Sequence, residues 1–111
     1  MAYDEDLANR IRELLAGEQG VTEMPMFGGL AFLLGGNMAV AASGQGGLLA
    51  RVGPDQGERL LSSTHVSAMV MRGREMKGWL RVDAEGVRTK RRLQPWVRSC
   101  VAFTRSLPPK G

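Results

Sequence analysis

The chain has 111 residues, 43% of them hydrophobic and 23% charged, with a formal net charge of +4. That length supports one core and therefore one domain over 1–111, and the composition argues against a disordered chain. No apolar run approaches the roughly 20 residues of a spanning helix, the single cysteine excludes an intramolecular disulfide, and the acidic start (Asp4, Glu5, Asp6) does not read as a secretory signal, so a cytoplasmic protein with no membrane role is expected.

Asp4 to Ala16 reads as a helix, because Leu7, Ile11, Leu14 and Leu15 make one apolar stripe. Acids in its first turn suit the helix dipole, and Gly17 suits its end. Val21 to Pro25 reads as a connector. Three apolar runs of strand length follow: 26–34, 38–42 and 48–52. Gly35-Gly36-Asn37 and Gly44-Gln45-Gly46-Gly47 punctuate them, the pattern of an antiparallel meander. The first run is apolar on both faces and is expected to be a central strand covered on both sides.

Pro54 suits the first position of a short helix running to about Leu61, which Gly57 weakens. Ser62-Ser63-Thr64 is a loop. Val66 to Met71 and Lys77 to Asp83 read as strands joined through Gly73-Arg74, with Leu80 and Val82 on one face and Trp79, Arg81 and Asp83 on the other. The last helix runs from Thr89 or Arg92 to Leu107, with Leu93, Trp96, Val97, Cys100 and Phe103 or Thr104 facing the core. A proline beyond the first turn costs about 3 kcal/mol or more. Pro95 therefore means either that the helix begins near Leu93 or that its first turn is tightened. The order helix, three strands, helix, two strands, helix indicates an α+β two-layer domain with an antiparallel sheet.

No catalytic constellation emerges, so no enzyme activity, cofactor or metal is expected. His65 sits in a Ser/Thr loop without a partner motif. Cys100 lies on an apolar stripe, as a buried structural thiol does, and one histidine with one cysteine does not make a zinc site. The glycine clusters lack the Lys and helix of a phosphate loop and read as turns. Gly28-Gly29 differs, because glycine at the start of a strand marks a bulge or the close approach of another group. The seven methionines read as core filling or as the lining of a shallow dimer or peptide groove.

Charge is unevenly spread. Residues 1–55 carry three basic side chains against seven acidic ones, and 56–111 carry twelve against four. Arg91, Arg98 and Arg105 are seven residues apart and form one stripe along the last helix. Lys90, Arg91 and Arg92 stand at its start, where the dipole disfavours cations. With Arg88 they make a candidate anion site for phosphate or a nucleic-acid backbone, low in sequence specificity because aromatic side chains are scarce. The alternatives are a merely solvated helix, or cations neutralised by acids of the N-terminal half or of a second subunit.

Met26-Phe27-Gly28-Gly29 stands before an apolar strand, Met38 after a glycine turn, and a strand runs from Leu48 to Val52; Gly73-Arg74-Glu75-Met76-Lys77-Gly78-Trp79 and Leu93 with Trp96-Val97 follow. With these motifs the chain resembles the TfoX/Sxy N-terminal domain family. It is most similar to small stand-alone actinobacterial members, which share Gly-Gly-Leu-Ala-Phe and an ending like Leu107 to Lys110. The resemblance implies an α-β(3)-α-β(2)-α domain similar to type III secretion chaperones, a fold that often pairs as homodimers. It implies a competence-regulator-like role in gene expression beside a cyclic-AMP-receptor-type activator, with the family's C-terminal domain absent from this chain. The expected function is therefore non-enzymatic regulation through a transcription-related protein partner or weak nucleic-acid backbone contacts. A chaperone-like homodimer without a nucleic-acid role, and a small-ligand binder at Gly28-Gly29 beside Trp79, stay open.

Overall fold

The computed structural model describes residues 3–26 and 28–109. Asp4 starts the first helix, α1 (Glu5–Leu14), by accepting the backbone N–H groups of Asp6 and Leu7 at 3.0 and 3.2 Å. Its apolar stripe buries Leu7, Ala8 and Ile11. Six strands follow in two groups: β1 (Val21–Met26), β2 (Gly29–Leu34), β3 (Asn37–Ala42) and β4 (Leu48–Arg51), then β5 (Val66–Met71) and β6 (Arg74–Val82). α2 (Pro54–Leu60) separates the groups, and a short 3-10 helix (Ala84–Val87) leads into α3 (Lys90–Arg105). The strands form one antiparallel sheet in the order β1-β2-β3-β4-β6-β5.

The sheet carries all three helices on one face. Phe32, Leu34, Val40, Ala42, Leu48, Ala50, Leu80 and Val82 meet Leu7, Ile11, Leu93, Val97 and Cys100 there in a single core. The α+β two-layer expectation thus holds. The opposite face has its own smaller cluster, in which Ala31, Ala41, Leu49 and Met69 lie beneath Met26, Leu33, Met38, Met71 and Trp79. Among the described residues no helix covers that face, so β2 is apolar on both sides for two different reasons.

The expected order of three strands and then two becomes four and then two, and β6 starts at Arg74 rather than Lys77. The expected connector Val21 to Pro25 is part of β1, paired with β2 along its whole length. It is a mostly exposed edge strand, where Pro25 is tolerated because an edge strand needs only half of its backbone donors. Arg12 binds β1 to α1 through two contacts to Glu23, at 2.6 and 2.8 Å, and holds the Glu23 carboxyl below its ordinary value. The last helix begins at Lys90, between the two expected starts Thr89 and Arg92, with Pro95 inside it. Of the two expected ways to accommodate that proline, the start near Leu93 is not the one found. Thr89 caps it, and the Arg92 N–H reaches Thr89 O at 3.1 Å, which is the tightened first turn. Pro95 is exposed, on the side of α3 away from its buried positions Leu93, Val97, Cys100 and Thr104.

On the inner side of α3, the buried Thr104 hydroxyl has no hydrogen-bond partner among the described residues. A buried polar group left unpaired costs about 1–3 kcal/mol. Thr104→Val, which keeps the shape, is expected to stabilise the protein by about 1 kcal/mol, read as a higher urea midpoint. A lower midpoint would mean that the hydroxyl is paired.

Candidate functional site

The basic helix is fixed from below. Leu93, Val97, Cys100 and Thr104 are its buried positions, which leaves the side bearing the arginines outward. Arg10 of α1 steadies its start, with Nη1 donating to the carbonyls of Val87 and Arg88 at 2.7 and 3.1 Å. The Cys100 thiol is fully buried, and desolvation pushes its pKa up to about 12, so it stays protonated and inert.

The six candidate cations fall into two sets. Arg88 and Arg92 converge on Glu85 of the 3-10 helix, at 3.0 and 3.7 Å, and Arg92 also donates to the Glu85 carbonyl at 2.9 Å. Glu85 thereby offsets the unfavourable placing of cations at a helix start. At the far end Arg105 bonds Glu18 at 3.2 Å and the Gln19 carbonyl, both from the turn after α1. Lys90, Arg91 and Arg98 are exposed and have no acidic partner among the described residues. Acids of the N-terminal half neutralise only one member of the Arg91–Arg98–Arg105 stripe. The Thr89 cap also occupies the Arg92 N–H at 3.2 Å, so that donor is not free for an anion.

The glycine motif is structural. Phe27 lies outside the described residues. Gly28 has φ +77°, and a side chain at Gly29 would overlap the Ala42 carbonyl and come within 2.9 Å of Gly44 N. A side chain at Gly44 would in turn meet Gly28 O at 2.6 Å. The group approaching Gly28-Gly29 is thus the backbone of the β3–β4 turn. Gly78 (φ +86°) forms a bulge of β6 whose backbone touches Gly53 and Gly57 at the start of α2. Met26 belongs to the cluster on the helix-free face. Trp79 lies there too, with the Arg51 guanidinium 5.3 Å from its ring. The strand register sets Gly29 and Trp79 three strands and several residues apart, roughly 20 Å at standard sheet spacings. They do not line a common site.

Sequence reasoning missed two features. His65, in a left-handed conformation at φ 71°, has Nδ1 3.0 Å from an Asp83 carboxylate oxygen, a pairing across the sheet end with no sequence signature. The Gly86 N–H, then His65, lower the Asp83 carboxyl below its ordinary value. Asp83 also accepts the Gly86 N–H at 3.0 Å, so the pair braces the start of the 3-10 helix. The other feature is a groove of about 320 Å³ beside α2, lined by Leu61, Ala68, Glu75, Met76 and Leu80 among others. Among the described residues no group of His, Cys, Asp and Glu could hold a metal ion, and no helix is long and apolar enough to cross a membrane.

The sequence model of the TfoX N-terminal domain matches residues 13–104. No curated protein and no solved structure matches.

Proposed function

The chain belongs to the TfoX N-terminal domain family, and on that premise we propose that it is a non-enzymatic regulator of gene expression, of the competence-regulator kind. It works by contact, with protein partners first and with nucleic-acid backbone second. One observation carries the second contact: Lys90, Arg91 and Arg98 are exposed on α3 and none forms an ion pair among the described residues. Three free cations give a weak, sequence-independent hold. Affinity, and any choice of promoter, then comes from a protein partner.

Affinity capture from a cell extract, with and without nuclease, tests this reading. The expected result is a transcription-related protein retained after nuclease, and nucleic acid that is lost when Lys90, Arg91 and Arg98 are changed to Glu. Recovery of neither above background would refute it.

A second reading has its own support. The cluster of Met26, Leu33, Met38, Met71 and Trp79 on the helix-free sheet face suits a chaperone-like homodimer joined over that face. Sedimentation at high protein concentration decides it, because a monomer there removes it.

A further inference from the structure

The helix layer is incomplete. α1 packs on α3, α3 lies over β2, β3 and β4, and α2 sits on β6, linked to α3 through Gln56 and Ser99. Among the described residues no further helix lies beyond α2 in this layer, so the outer strand β5 is left uncovered. Val70, which lies between Met69 and Met71 of the opposite face's cluster, is 58% exposed. The groove of about 320 Å³ lies in this gap. Ala68 and Leu80 line it together with Leu61 of the α2 end and Met76 of the β6 bulge, which are 38% and 36% exposed. Three of the four large apolar side chains exposed among the described residues are thus in or beside this gap: Leu61, Met76 and Val70.

The charges around it have one dominant sign. Asp55, Glu58 and Glu75 line the groove, and none has a cationic partner among the described residues. Lys77 is the one cation in the lining. A net negative groove on a chain of net charge +4 runs against the molecule's overall field. It repels a nucleic-acid backbone and attracts a cationic group.

We propose that this groove binds a basic amphipathic helix of a partner protein, laid beside α2 as the missing member of the helix layer. Apolar side chains of that helix would sit against Ala68, Val70, Leu61 and Met76, and flanking Lys or Arg would meet Asp55, Glu58 and Glu75. A second copy of this chain is a poor occupant, because the exposed side of its own basic helix carries Arg91, Pro95, Arg98 and Ala102 and no large apolar anchor. Nor does the tail from Leu107 to Pro109 fill the groove, since Asn37 holds it at the β2–β3 turn by donating to the Pro108 carbonyl at 2.9 Å. The inference deepens the protein-contact reading above and does not depend on the cations of α3.

The test is fluorescence anisotropy with a labelled leucine/lysine peptide patterned as an amphipathic helix, and with its leucine/glutamate counterpart. The lysine peptide is expected to bind and the glutamate peptide is not. Asp55→Lys with Glu58→Lys, and separately Leu61→Ser with Met76→Ser, should each weaken binding about tenfold or more. All four positions are exposed, and circular dichroism checks that the variants fold. Arg91→Glu with Arg98→Glu should leave peptide binding intact, which separates this groove from the nucleic-acid surface. The proposal is overturned if the lysine peptide fails to bind at millimolar concentration, if both peptides bind alike, or if either groove variant binds as wild type does. It is also overturned if the groove variants abolish self-association, because the occupant would then be a second copy.

Discussion

Gly29→Ala is expected to lower the free energy of unfolding by about 3 kcal/mol or more, at the upper end of what overpacking costs. Most glycine substitutions act through a left-handed φ, but Gly29 lies in a strand, and its difficulty is space alone. The added methyl would overlap the Ala42 carbonyl and approach Gly44 N to 2.9 Å. Both are backbone atoms, so no side chain can rotate out of the way. Relief requires the β2 and β3 ends to separate, which breaks pairing at Leu30 and Ala42 beside the main core. Small domains hold only about 5–15 kcal/mol in total, so the loss shows directly in a urea or thermal midpoint. Gly17→Ala is the control, since nothing lies within 4 Å of the added methyl. It should shift stability by no more than about 0.5 kcal/mol. Equal midpoints for Gly29→Ala and wild type would mean that the two turns do not meet.

Changing Lys90, Arg91 and Arg98 together to Glu is expected to abolish nucleic-acid binding at low salt. Each phosphate contact is worth roughly a decade of affinity at 50 mM salt through counterion release, so three contacts account for about a thousandfold, comparable to the whole of a weak non-specific affinity. These side chains are exposed and unpaired among the described residues, so the fold should survive the change. The contrasting variant is Arg88→Gln with Arg92→Gln. Those guanidinium groups already serve Glu85, at 3.0 and 3.7 Å, and their removal should leave most of the binding in place. Anisotropy with a labelled duplex measures both. Equal losses in the two variants would contradict the division of the helix into engaged and free cations.

The parts of the fold that depend on local periodicity were legible in the sequence. The stripe of Leu7, Ile11 and Leu15, the glycine turns at Gly35-Gly36 and Gly46-Gly47, and the alternation of Leu80 and Val82 against Trp79 and Arg81 all point to the elements found. Strand β1 did not announce itself. An exposed edge strand such as Val21–Met26 has no buried face to impose alternation, and Pro25 counts against it locally. The start of α3 was legible at Thr89, but which way Pro95 is accommodated was not. The Thr89 cap and the solvent-facing side of Pro95 together tolerate a proline that sequence rules treat as a break. The candidate site was legible as a stripe of arginines but not as a set of pairings. Glu85 reaches two cations from a 3-10 helix, and Glu18 reaches Arg105 across 87 positions of sequence. Contacts of that kind carry no periodic signal. The groove beside α2 was invisible because it arises from a helix that is missing from a layer, and no residue pattern encodes an absence.

The most direct measurement on the contact reading is the salt dependence of duplex binding by the wild-type chain. Three free cations predict a slope of log affinity against log salt of about −3, so binding should weaken roughly fortyfold between 50 and 200 mM salt. A slope near −5 would mean that all six cations reach phosphate and that the pairings with Glu85 and Glu18 open on binding. No binding at 50 mM salt would contradict the account outright.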